Sequence, residues 1–309
     1  MEKTGIPCKA KKDSNVYLGI DIGGTMIKWG KIRSDGEMLA RGMVPTQPER
    51  GRECFLHTLF TLIHEANEAE IAGVGISTAG IVDSENGIIA DGIENIPFLK
   101  GMAIKAILEE KTGLPVQVLN DVRAAALGEK WMGAAQDCDT FFCMTLGTGI
   151  GGCLMIDSKI FAGAHSRAGE LGYLDYLNEN DYLERQFSAR GLFEIAKEEL
   201  GEEISGVAFF ERVRRQEQPV CDILDRWADR IGKAIATIII VFDPQKVIVG
   251  GGITEQGELL LEILRQKTEK HLPGGFSKQC PVELAGCKNG AGMLGAVRFL
   301  MDSTECAGQ

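Results

Sequence analysis

The sequence predicts an α/β protein of two lobes facing a shared cleft. Three observations carry that expectation. Tyr17 to Ile32, YLGIDIGGTMIKWGKI, reads as strand, tight turn, strand. Phe141 to Ile156, FFCMTLGTGIGGCLMI, repeats the design further along the chain. Short apolar runs alternate with helical patterns and end in glycine turns, as at Thr78-Ala79-Gly80 and Gly250-Gly251-Gly252. In open α/β sheets, ligands sit at that end of the strands.

In the first hairpin Val16, Leu18 and Ile20 alternate with Tyr17 and Gly19, and Asp21 ends the run. Gly23, Gly24 and Thr25 form the turn. Two adjacent glycines remove every Cβ from one patch of backbone, so their N–H groups can close on an anion. Thr25 adds a hydroxyl, and Lys28 on the returning strand joins the same set. Asp21 supplies a carboxylate where a magnesium ion with its waters would sit. The plainer alternative is a β-hairpin with a Gly-Gly turn. The second copy shifts the balance toward phosphate: its turn comprises Gly147, Thr148, Gly149, Gly151 and Gly152.

Composition narrows the classes. The chain has 309 residues, 44% hydrophobic and 25% charged, enough for one large or two medium domains. A net charge of -11 argues against nucleic acid or an anionic membrane as partner. Nine cysteines lie scattered without a Cys-x-x-Cys pair, which fits a reduced cytoplasmic protein. The start is polar up to Asn15, with no apolar signal region. The longest apolar run, Ala234 to Phe242, is too short to span a bilayer.

In chain order, Met38 to Val44 reads as a third strand, and Cys54 to Ala69 as a helix with Phe55, Leu59, Leu62, Ile63 and Ala66 on one face. Ile71 to Ser77 is a buried strand ending at Gly80. A loop from Gly92 to Gly101 carries Asn95 and Pro97. Met102 to Lys111 is helical and stops before Gly113 and Pro115. Val116 to Leu119 is a strand, followed by Asn120-Asp121 and a helix from Val122 to Met132. Both Asn120 and Asp121 are good helix caps, but capping accounts for one of them. A carboxylate at a strand end facing a cleft is placed for general-base work.

Glycines flank Glu170 in AGELGY, which puts it in a turn; an exposed loop acid is the plainer reading. Tyr182 to Leu200 reads as helical, with Glu184 near its start, where the helix dipole alone would explain it. Val220 to Ile240 is a long helix, and Lys246 to Val249 a strand. Gly251 and Gly252 after it allow close approach of a flat ligand such as adenine. Asn289-Gly290-Ala291-Gly292 opens a last helix with small residues suited to packing near a nucleotide.

With these elements placed, residues 16 to 300 resemble the ROK (repressor, open reading frame, kinase) family of the actin-like ATPase superfold. Six blocks match in order: DIGGT at 21–25, NDVRAAALGE at 120–129, LGTGIGG at 146–152, AGELGY at 168–173, VIVGGGI at 247–253 and NGAGMLGA at 289–296. The resemblance implies an actin-like, ribonuclease H-like fold with a central interlobe cleft. It implies a flexible leader at 1–15, an N-terminal lobe at 16–120, and a C-terminal lobe at 121–292. The helix at about 293–305 would return to the first lobe.

The same resemblance implies an ATP-dependent sugar kinase acting with magnesium on a hexose, an N-acetylhexosamine such as N-acetylmannosamine, or a β-glucoside, at the 6-hydroxyl. Asp121 would be the general base. Gly80, Asn95, Asn120, Asp121, Glu170, Tyr173 and Glu184 would lie against the sugar. Gly23, Gly24, Thr25, Lys28, Gly147, Thr148, Gly149, Gly251, Gly252 and Asn289 would hold the nucleotide, and the active form would be a homodimer. One departure stands out. The family's GExGH block ends in a histidine that touches the sugar and binds a structural zinc, and here that position is Tyr173. From Glu170 to Glu184 there is neither cysteine nor histidine, so no structural zinc is expected. Packing of Tyr173, Tyr176 and Tyr182 would hold the loop instead. Two rivals are a sugar-responsive repressor and a non-catalytic actin-like ATPase scaffold. About fifteen residues ahead of the first strand are too few for a helix-turn-helix domain. Asn120, Asp121 and Glu170 argue against the scaffold.

Gly24→Val is expected to place a branched side chain where phosphate oxygens approach, weakening nucleotide binding more than sugar binding. Calorimetry on the folded variant checks this, and unchanged ATP affinity would remove Gly24 from the site.

Overall fold

Leu18, Ile20 and Ile22 alternate with Tyr17, Gly19 and Asp21, so the first strand, β1 (Val16–Ile22), has two distinct faces. The computed structural model describes residues 15–307 apart from 68–69, 92–94, 176, 179–180, 275 and 277–278. Tyr176 and the leader, Asn15 excepted, therefore lie outside the described residues. β1 pairs antiparallel with β2 (Met26–Arg33), and β2 with β3 (Met38–Pro45). Then come α1 (Gly51–Asn67), β4 (Val74–Thr78), a hairpin of β5 (Ile81–Asp83) and β6 (Ile88–Asp91), α2 (Ile104–Thr112), β7 (Val116–Asn120) and α3 (Asp121–Met132). β4 and β7 extend the sheet in parallel, giving the order β3-β2-β1-β4-β7.

The second half repeats this strand for strand. β8 (Phe141–Leu146), β9 (Ile150–Ile156) and β10 (Lys159–Ile160) form an antiparallel meander. After α4 (Leu183–Phe187), α5 (Ala189–Leu200), α6 (Gly206–Arg214) and α7 (Gln218–Phe242) come β11 (Val247–Gly250), α8 (Glu258–His271), β12 (Val282–Leu284) and α9 (Ala291–Ala307). The order is β10-β9-β8-β11-β12, with β11 and β12 parallel to β8. Twin sheets of one topology account for the repeated sequence pattern.

Two local expectations need correction. Gly151 and Gly152 are not in the second turn. They pair with Thr145 and Met144 inside β9. The helix expected from Tyr182 to Leu200 breaks in two at Ser188, which caps α5 by accepting from Gly191 N–H at 3.2 Å. The buried Trp227 indole donates to Phe187 O (2.7 Å) and Ser188 O (3.2 Å), satisfying carbonyls the break releases. Among the described residues, no helix is long and apolar enough to cross a membrane.

The layers follow from which strand face is apolar. Leu18, Ile20 and Ile22 pack with Phe55, Leu59 and Ile63 of α1 and Ile104 and Leu108 of α2. Tyr17 and Ile32 pack with Met293, Val297 and Leu300 of α9. In the second sheet, Phe142, Met144, Val247 and Val249 pack with Ile231 and Ile235 of α7. The opposite face, through Phe141, Cys143, Cys153 and Ile248, packs with Val122, Ala124 and Leu127 of α3. Burial pushes the Cys153 thiol up to about 12, so it stays a neutral core residue. Thus α9 lies on the first sheet and α3 on the second. The two helices meet backbone to backbone: a Cβ on Gly295 would stand 1.7 Å from Ala124 O, and one on Gly128 would stand 2.3 Å from Ala291 O.

Gly295→Val is therefore expected to lower stability by about 3 kcal/mol through overpacking. Chemical denaturation measures this, and an unchanged midpoint would show that the helices can separate without cost.

Candidate functional site

The C-terminal ends of the parallel strands converge. Register places Asp21 of β1 opposite Ser77 of β4, and Thr78 opposite Asn120 of β7. Asp21 Oδ1 accepts from Ser77 Oγ at 2.8 Å, and Lys28 Nζ stands 3.3 Å from Oδ2. The start of α9 presses on this carboxylate. A Cβ on Gly292 would lie 3.2 Å from Asp21 Oδ1 and 2.9 Å from Ser77 Oγ. The first glycine turn is pinned from β3: Thr46 Oγ1 donates to Gly23 O (2.7 Å), and Thr46 N–H to Thr25 O (2.9 Å). Gly24 faces Asn95, whose Nδ2 would be 3.4 Å from an added Cβ. Neither turn glycine has positive φ, so their value here is space rather than conformation.

Asn120 is the helix cap. Its Oδ1 accepts from Val122 N–H (3.1 Å) and Arg123 N–H (3.2 Å). Its Nδ2 donates to Gly80 O (3.0 Å) and to Asp121 Oδ1 (2.9 Å). Asp121 is left as the first helical residue, with Val122 N–H also on Oδ1 at 2.8 Å and no protein partner for Oδ2 among the described residues. Desolvation, then the charge of Asp21, raises the Asp121 carboxyl to about 6. Asn120, Asp121, Gly80 and Asp21 are thus brought together.

On the facing edge, Gly147 N–H donates to Gly149 O (2.9 Å), closing the second turn, and Ala189 N–H donates to Gly147 O (3.0 Å). Glu184 Oε2 accepts from Ile150 N–H at 2.7 Å, so this acid holds the turn. Desolvation, then Glu184, raises the Glu170 carboxyl above its ordinary range. Tyr173 is exposed and stacks on Tyr182 with ring centroids 5.5 Å apart. Thr25, Thr148 and Asn289 make no side-chain hydrogen bond to another described residue. Gly251 has φ of 99°, and a Cβ there would meet Leu146 O at 2.1 Å, so it is needed for the β8–β11 junction whatever else it does. Gly252 opens on free space.

Four residues escaped the sequence reading: Thr46, Ser77, Arg123 and Glu129. Buried Arg123 donates Nη2 to Ser166 O (2.9 Å) and Ala162 O (3.4 Å). Glu129, fully buried, accepts from Ala134, Gly286 and Cys287 N–H, each at 2.8 Å. It thereby ties α3 to the segment ahead of Asn289. Apolar residues surround both on α3, and a charged residue at such a helical position was the available signal. Among the described residues, no group of three or more His, Cys, Asp or Glu side chains could hold a metal ion.

Twin sheets in one topology, with glycine turns and carboxylates at their facing edges, define an actin-like two-lobed fold. The ROK family model matches residues 17–303, and the chain belongs to that family. A β-glucoside kinase of Listeria monocytogenes is 31% identical over 301 residues, covering 92% of this chain and 97% of its own. A glucokinase of Thermotoga maritima is 30% identical over 308 residues, with 92% and 97% covered. A crystal structure of a ROK family glucokinase from Streptomyces griseus, in complex with glucose and AMPPNP, superposes with a TM-score of 0.83 at 29% identity, over 93% of this chain and 100% of the other.

The raised Asp121 has a cost with a definite sign. Its folded value, about 6, lies above the ordinary 3.8, so the unfolded chain gives up this proton first as pH rises between them. The fold loses stability across that window and regains none above it. Asp121→Asn is therefore expected to be more stable than the parent at pH 7, by about 1–3 kcal/mol, with the gap closing below pH 4. Denaturation at both pH values checks the difference, and a less stable variant at pH 7 would contradict it.

Proposed function

We propose that the protein is an ATP-dependent sugar kinase that phosphorylates a hexose, an N-acetylhexosamine or a β-glucoside at the 6-hydroxyl, with Asp121 as general base. One observation carries the reading. A desolvated carboxylate stands at the strand ends between two glycine turns, and among the described residues only its Oδ1 is committed to protein partners. Oδ2 takes the hydroxyl proton as the sugar oxygen attacks the γ-phosphoryl group. A carboxyl near 6 is ionised at neutral pH yet basic enough to accept a proton.

The rest is positioning and charge neutralisation, which phosphoryl transfer chiefly requires. Backbone N–H groups at Gly24 and Gly149, with the unbonded hydroxyls of Thr25 and Thr148, face the phosphates, while Gly23 and Gly147 spend their N–H groups on Met26 O and Gly149 O and close the turns that border them. Gly251, Gly252 and Asn289 border the base. Asn120, anchored on Gly80 O, Asn95 beside Gly24, and Glu170 face the sugar, while Glu184 shapes the turn above it and Tyr173 borders the site. Asp21, a hard oxygen donor already coupled electrostatically to Asp121, fits magnesium, which binds through one or two carboxylates plus water and phosphate. That ion supplies charge neutralisation at the phosphates. The Tyr173–Tyr182 stack holds the loop without structural zinc, and a homodimer completes the reading. The sugar-kinase relatives, and an Asp121 Oδ2 without a partner among the described residues, favour this over a repressor or scaffold.

A coupled ADP-release screen over glucose, fructose, N-acetylmannosamine, N-acetylglucosamine and β-glucosides tests the function. Turnover independent of added sugar would overturn it. Asp121→Asn is expected to lose about a hundredfold or more in kcat while still binding ATP and sugar. The parent's kcat/KM is expected to rise with pH and level off above about 6, as the base ionises. A rate that stays within a few fold in the variant, or a flat acid limb, would remove Asp121 from the role.

A further inference from the structure

A cavity of about 480 Å³ opens near the strand-end site, lined by Ile81, Ala90, Asp91, Lys100, His165 and Arg167. Its size falls within the range of small-molecule sites. None of Asn120, Asp121, Glu170 or the turn glycines lines it, so a hexose bound at Asp121 would leave it empty. The two spaces are nonetheless adjoining. Ile81 follows Gly80, whose carbonyl accepts from Asn120 Nδ2 at 3.0 Å. Arg167 lies close enough to Glu170 for its charge to act on that carboxylate.

The walls come from both halves of the molecule. The β5–β6 hairpin and Lys100 form one side, and the segment from Phe161 to Gly169 forms the other. That segment is held by Arg123, two residues beyond Asp121, through its bonds to Ser166 O and Ala162 O. One helix thus sets both the reacting carboxylate and the far wall of the cavity.

The lining chemistry points to hydroxyls. Lys100 Nζ and Asp91 Oδ1 stand 3.0 Å apart, presenting a donor and an acceptor side by side. Neighbouring sugar hydroxyls, each both donor and acceptor, complement such a pair. Arg167 adds donors and has no ion-pair partner among the described residues. Ile81 and Ala90 give an apolar strip for the C–H face of a ring.

We propose that this cavity is a subsite for a second sugar ring, and that the substrate is a β-glucoside whose terminal glucose is phosphorylated while its anomeric substituent occupies the cavity. The 6-hydroxyl faces Asp121 and the glycosidic oxygen leads away past Glu170. This rests on the sugar-kinase reading and narrows its substrate class.

The test compares glucose, methyl β-glucoside and cellobiose in the ADP-release assay, using the full chain, Ala90→Phe and Lys100→Ala. The expected result is a kcat/KM for cellobiose about tenfold or more above that for methyl β-glucoside, the effect of roughly one good hydrogen-bonded contact. Ala90→Phe, which fills the cavity, and Lys100→Ala, which breaks the ion pair, are expected to bring that ratio to about one through KM for cellobiose. Equal values in the parent, or a ratio that survives both variants, would overturn the subsite while leaving the kinase reading intact. Absence of sugar-dependent ADP release would overturn the kinase reading instead. Calorimetry with cellobiose and methyl β-glucoside then decides the subsite separately: equal affinities overturn it.

Discussion

The arrangement depends on a contact that involves almost no side chains. Helices α3 and α9 meet through Gly128 and Gly295, with each glycine against the opposing backbone. α9 lies on the first sheet and α3 on the second, so this contact sets how the two sheets face each other. Backbone against backbone has no rotamers to adjust, which makes the spacing rigid. Asp21 rides on the first sheet against the start of α9, and Asp121 begins α3. Both carboxylates stand at strand ends of the first sheet, Asp21 on β1 and Asp121 directly after β7, so their electrostatic coupling is set by that sheet's register and braced by the helix contact.

α3 concentrates the polar anchors. At its start Asn120 satisfies two orphan helix N–H groups and still bridges Gly80 O to Asp121. Arg123 holds the segment with His165 and Arg167, and Glu129 takes three backbone N–H donors from segments before and after the second sheet's strands. Buried polar groups with every bond made are rigid, and losing one partner exposes the rest to a desolvation penalty. The catalytic reading of Asp121 thus draws on a helix braced at its start, middle and end.

Carboxylates recur in pairs, one pair on each side of the cleft: Asp21 with Asp121, and Glu170 with Glu184, each pair raising a member's proton affinity. Such pairing opposes stability and is sustained by the packing beneath it. It leaves acceptors aimed at a space where hydroxyls and a hydrated cation would relieve the repulsion.

Local pattern alone settled the parts whose cause is local. Alternation in YLGIDI and FFCMTL made hairpins, and the repeat of the design announced twin sheets. Asp21, Asn120 and Asp121 were legible because strand-end position and residue chemistry coincide there. Gly151 and Gly152 were misplaced into a turn because glycine marks close approach within a strand as readily as a bend. The break at Ser188 needed Trp227 from a helix forty residues away. Which of Asn120 and Asp121 caps the helix, the desolvation of Asp121, the three donors on Glu129 and the cavity beside Ile81 were decided only by tertiary structure. The cap itself is local, and what lies beyond it is Asn120's bond to Gly80 O forty residues away; the other three are made by segments far apart in the chain, and spacing along a sequence carries no information about which distant backbone amide a buried carboxylate will meet.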